Sequence, residues 1–128
     1  MTEDLVRILE ELIAAAPGAD AFHIRIDEEP STRGLDVEEL ERLFSDFTHD
    51  FEETVATLAE AWGAPTYKGS IDEDEFPGWS VALLLAYWQH DGALAYVSLR
   101  HDDDHEPMFI EVGALTDDEV STLAYTKT

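Results

Sequence analysis

Two rhythms of apolar residues divide this chain. Residues 79–115 read WSVALLLAYWQHDGALAYVSLRHDDDHEPMFIEVGAL, apolar runs of strand length broken by two polar turns. Asp91-Gly92 lies between the first two runs, and that dipeptide tolerates the positive φ of a two-residue hairpin turn. A two-residue turn pairs His90 with Ala93. Trp88 then faces Ala95, Ala86 faces Val97 and Leu84 faces Leu99. Leu83, Leu85 and Tyr87 fall on the other face with Leu94, Tyr96 and Ser98. If His101 pairs with Met108 in a third strand, Ile110 and Val112 join the Trp88 face. A register one residue off would bring Glu111 and Gly113 there instead, and burying a carboxylate is unfavourable, so the first register is expected.

Elsewhere the spacing is helical. Leu5, Ile8, Leu9, Leu12, Ile13 and Ala16 form one stripe, which Pro17-Gly18 ends. Phe22, Ile24 and Ile26 alternate with His23 and Arg25, as in a short strand at a sheet edge. Asp36 can cap a second helix, whose stripe runs Val37, Leu40, Phe44, Phe47, Phe51, Val55, Leu58, Trp62. Thr48-His49-Asp50 is its weakest point, and Gly63 with Pro65 ends it. Thr66 to Ile71 reads as a further short strand, and Phe76 as a plug for the core. Thr116-Asp117-Asp118-Glu119 is a capping box opening a final helix to about Tyr125. The expectation is a single α+β domain over 1–128: an antiparallel sheet of three to five strands with helices packed on one face.

That face is the Trp88 face, which has little polar interruption. The opposite face mixes Leu83, Leu85, Leu94 and Phe109 with Tyr87, Tyr96, Arg100 and Glu111. It reads either as a second, smaller covered face or as a surface that another molecule covers. Tyrosine and arginine are frequent interface anchors.

Charge sharpens the second reading. Thirty acidic residues oppose seven basic ones, a net charge of −23 at pH 7. Such a field repels nucleic-acid phosphates and anionic membranes and attracts basic partners. It also suits a protein kept soluble in high salt, or one mimicking the phosphate array of DNA. With no cysteine, disulfides and thiolate metal sites are excluded. The start, MTEDLVRILEEL, lacks the basic, then apolar, pattern of a signal peptide, so a cytoplasmic protein is expected.

Chemistry-bearing motifs are few. His101-Asp102-Asp103-Asp104-His105-Glu106 contains metal-ligand residue types, but in a turn without rigid elements to fix a geometry. Asp72-Glu73-Asp74-Glu75 lacks the spaced ligands and central glycine of a calcium loop. No serine sits in a nucleophile elbow, and no glycine-rich phosphate loop is present. The expectation is therefore no catalytic residue, no metal site and no cofactor. The candidate protein-binding residues are Tyr87, Tyr96, Arg100 and Glu111, together with Asp72, Glu73, Asp74 and Glu75.

Trp62-Gly63-Ala64-Pro65, Tyr87-Trp88, Tyr96 and Glu106-Pro107 give the second half of the chain a layout that resembles small bacterial immunity proteins of toxin–immunity pairs. The resemblance implies a non-enzymatic protein that neutralises a basic toxin by covering its working surface with an acidic patch and nearby tyrosines. A salt-adapted housekeeping or structural protein and a DNA mimic stand as alternatives. Homodimerisation through the mixed sheet face is compatible with all three.

Overall fold

The computed structural model describes residues 2–15, 22–26, 36–77, 80, 82–90, 93–101 and 108–127. The elements run α1 (Thr2–Ala15), β1 (Phe22–Ile26), α2 (Val37–Trp62), β2 (Tyr67–Ser70), β3 (Leu84–His90), β4 (Ala93–Arg100), β5 (Phe109–Thr116) and α3 (Asp117–Lys127). The five strands form one antiparallel sheet in the order β1-β5-β4-β3-β2. The mixed α+β class and the antiparallel sheet with packed helices are those expected from the sequence.

The meander β3-β4-β5 has the anticipated register. His90 pairs with Ala93, Trp88 with Ala95 and Leu84 with Leu99. Leu99 pairs with Ile110 and Val97 with Val112. The Asp91-Gly92 turn itself lies outside the described residues. Each end of the meander gains an edge strand, β1 beside β5 and β2 beside β3. In β1 the register shifts between His23 and Arg25, so Arg25 comes opposite Ile110 and strict alternation through the strand fails.

Helices α1 and α2 cover the Trp88 face. The core joins Leu9 of α1 and Phe47, Phe51, Val55 and Leu58 of α2 to Ala86, Trp88, Val97, Leu99, Ile110 and Val112 of the sheet. Trp88 is buried, stands edge-on to Trp62 at 5.8 Å, and donates its indole N–H to the Gly63 carbonyl at 2.9 Å. That bond ties the end of α2 to the centre of the sheet and satisfies the one polar atom of the indole. Gly63 has φ 83, a conformation that favours glycine, so the helix stops there.

Helix α2 is continuous through Thr48-His49-Asp50. The Thr48 hydroxyl donates to the Phe44 carbonyl and the Thr54 hydroxyl to the Asp50 carbonyl, so neither hydroxyl competes for the helix amides. The Asp36 carboxylate accepts from the Glu39 amide at 2.8 Å. The helix packs chiefly on β4 and β5, its start beside Leu83 and Met108 and its end at Trp88, so it runs along the strands and is longer than they are. At 1.5 Å per residue its 26 residues span about 39 Å, against about 27 Å for the eight residues of β4. Burial begins only at Phe47, and Val37, Leu40 and Phe44 of the same stripe are exposed.

At the other end of the sheet the capping box forms as expected. The Glu119 amide donates to the Thr116 hydroxyl, and the Thr116 amide donates back to the Glu119 carboxylate.

Candidate functional site

The face opposite the helices is organised by strand register. Across β4, β5 and β1, Ser98, Glu111 and His23 stand in one row, because Glu111 pairs with both neighbours. Tyr96 and Arg100 lie two residues to either side of Ser98 and reach Glu111 diagonally. The Glu111 carboxylate accepts from Arg100 Nη1 at 3.2 Å and from the Ser98 hydroxyl at 3.5 Å. His23 Nε2 lies 3.7 Å from it. Glu111 is only 6% exposed, so these donors take the place of the water it has lost. The expectation that this register keeps Glu111 out of the helix-side core holds, yet the carboxylate is buried all the same, beneath Arg100.

Phe109 completes the group. The Arg100 guanidinium lies 5.5 Å from the centre of its ring, and His23 meets its edge at 5.0 Å. Tyr96 lies across Gly113, directly opposite on β5. A Cβ at Gly113 would come within 2.5 Å of the Tyr96 hydroxyl, so the ring occupies the space that any other side chain would need. Burial, and after it the Glu111 carboxylate with which the phenol is hydrogen-bonded, pushes the Tyr96 hydroxyl well above its usual value, with Arg100 opposing.

That shift has a stability consequence. The unfolded phenol titrates near 10.0, whereas the folded one holds its proton to higher pH. The folded state therefore binds more protons above that value, and stability falls as pH rises past it. Tyr96→Phe should flatten this alkaline loss while costing about 1 kcal/mol at neutral pH from the lost hydrogen bond. Urea midpoints measured from pH 8 to 11 check it, and parallel slopes for the two proteins would count against the assignment.

A second group occupies the β2 side of the same face. Tyr67 pairs with Tyr87, and the two rings stack at 5.8 Å and 26°. Phe76 meets the edge of Tyr67 at 6.3 Å, so it packs on this face and not in the helix-side core. The turn after β2 is drawn in by Glu73. Its carboxylate accepts from the Tyr67 hydroxyl at 3.3 Å and from the Ser70 amide at 3.2 Å. Desolvation, and then Glu73, raises Tyr67 above its ordinary value. The Ser70 hydroxyl donates to Asp72 and holds that carboxyl below the usual range. Asp72, Glu73, Asp74 and Glu75 are all exposed.

The eight residues singled out from the sequence thus fall into two groups on one face. Tyr96, Arg100 and Glu111 meet directly. Tyr87 stands in the next strand beside Tyr67, whose hydroxyl leads to Glu73. Tyr87 pairs directly with Tyr96, so the two groups adjoin; on this face Leu85 and Leu94 are buried, whereas Tyr67, Tyr87, Tyr96, Arg100 and Phe109 are half-buried. His23, Ser98, Tyr67 and Phe76 were not expected in these groups. His23 and Tyr67 belong to the edge strands, and strand order is not written in any local pattern. Ser98 was already on this face, but its partner becomes evident only once β5 is in register.

Among the described residues, no group of three or more His, Asp or Glu side chains is placed to hold a metal ion. Residues 102–107, which carry most of the His-Asp run, lie outside the described residues. No helix among the described residues is long and apolar enough to cross a membrane. No protein-family profile, curated protein or solved structure gives a significant match to this chain.

Proposed function

We propose that this chain is a non-enzymatic acidic binding protein of the cytoplasm that docks a basic protein partner on its tyrosine face. The toxin of a toxin–immunity pair is the kind of partner its second half brings to mind. The observation that carries this reading is the half-exposed Tyr67–Tyr87 stack set beside the exposed acids of the 72–75 turn. Stacked tyrosines offer rigid apolar area that loses little side-chain freedom on binding. Carboxylates at their rim accelerate encounter with a cationic surface and add salt dependence. Arg100, clamped between Glu111 and Phe109, supplies a pre-oriented donor fork on the same face.

The test is capture of basic proteins from an extract of the protein's own cells, with the chain immobilised and salt varied. Wild type should retain a basic protein at moderate salt. Tyr67→Ser with Tyr87→Ser should abolish retention. Asp74→Asn with Glu75→Gln should chiefly slow association, because neither residue is tied into the Glu73 bracing of the turn. A wild-type chain that retains nothing at any salt, yet grows steadily more stable toward molar salt, would return its acidity to salt adaptation.

A further inference from the structure

The overhanging start of α2 forms one wall of a groove at the end of the sheet. The groove has a volume of about 320 Å³ and is lined by Leu40, Glu41, Phe44, Leu83, His101 and Met108. Four of these six are apolar. Leu40 and Phe44 are each 36% exposed, and Val37, one turn earlier, is 73% exposed. These three continue the stripe that is buried from Phe47 onward, so a helix face built for burial runs past the chain's own core.

The surrounding charge selects the occupant. From residue 36 to residue 46 the chain carries Asp36, Glu38, Glu39, Glu41 and Asp46 against Arg42 alone. A second copy would bring the same acidic segment, within a molecule of net charge −23, against this one. An anionic lipid surface meets the same repulsion. An apolar anchor flanked by cations meets none. We infer that this groove receives a basic amphipathic helix of another protein, with leucine-like anchors seated against Leu40, Phe44 and Met108 and lysines or arginines against Glu38 and Glu41. That is helix-in-groove recognition, in which apolar anchors three and four residues apart give the affinity. Leu83, which alternation assigned to the tyrosine face, lines this groove beside α2 instead, and the groove holds none of Tyr67, Tyr87, Tyr96, Arg100 and Glu111, so binding here stands or falls separately from docking there.

The experiment uses the full chain and two fluorescent 18-residue helical peptides at physiological salt. One presents leucines on one face and lysines on the other. The second keeps the lysines and replaces every leucine by serine. The leucine peptide should bind at least about ten-fold more tightly, since its anchors leave water. Amide shifts should map to Val37–Phe44, Leu83 and Met108. Leu40→Ser with Phe44→Ser should remove about ten-fold or more of that affinity, with the circular dichroism spectrum unchanged. Phe22→Ser, an exposed apolar change on β1 outside the groove lining, should leave it intact. Equal binding of the two peptides would overturn the inference, because bulk charge alone would then explain it. So would affinity surviving in the double serine variant, or an equal loss in Phe22→Ser. A wild-type dimer that Leu40→Ser and Phe44→Ser convert to monomer would overturn it too, by giving the groove to a second copy.

Discussion

Phe51→Ala should lower the unfolding free energy by about 3–5 kcal/mol, a large share of the roughly 5–15 kcal/mol that a domain possesses. Phe51 is 1% exposed and shares the core with Leu9 of α1 and with Val97, Leu99, Ile110 and Val112 of β4 and β5. A cavity there is bounded by paired strands and by two helices, and none of these can close in without breaking other contacts. Phe44→Ala, two turns earlier on the same stripe, is the matched control. Its ring is partly in water, and alanine is the better helix former, so the change should stay within about 1 kcal/mol. Urea unfolding of the two variants measures the difference. Similar losses at both positions would mean that the helix does not overhang its sheet.

Arg100→Met should cost about 2–3 kcal/mol, a value lowered from that of a fully buried pair because Arg100 is partly exposed. Methionine keeps much of the side chain's bulk beside Phe109 but takes the strongest donor from Glu111. The carboxylate is then left buried with the Ser98 and Tyr96 hydroxyls and with His23 at the rim. Adding Glu111→Gln removes the charge that has lost its partner, while the amide oxygen can still accept from Ser98 and Tyr96. The double variant should therefore be more stable than Arg100→Met alone, with a coupling energy above about 1 kcal/mol in a double-mutant cycle. Strictly additive losses would reduce Arg100 to a packing role on Phe109.

Much of this fold was legible because short-range rules agreed with one another. Asp91-Gly92 set the register of β3 and β4, and the unfavourable placement of Glu111 set that of β5. The Asp36 cap, the Gly63 stop and the Thr116–Glu119 box marked helix ends from single side chains. What stayed hidden was long-range. Nothing near Tyr67 says that it will lie beside Tyr87, and nothing near His23 says that it will reach Glu111, because both depend on which edge each strand joins. The stripe on α2 was legible, but not where its burial begins, since that depends on where strands made mostly later in the chain end beneath the helix. For the candidate site, Tyr96, Arg100 and Glu111 could be grouped by alternation alone. Their bracing by His23 and Ser98 needed the assembled sheet.

The place of β1 has a consequence for synthesis on the ribosome. Phe22 pairs with Val112, so among the described residues an early strand has its strand neighbour in the last one. Until β5 leaves the exit tunnel, β1 waits for the strand it pairs with here and α1 lacks much of the surface it rests on. The nascent chain therefore holds its amino-terminal third in waiting, and the dense negative charge of that segment and of α2 helps keep neighbouring nascent chains apart meanwhile.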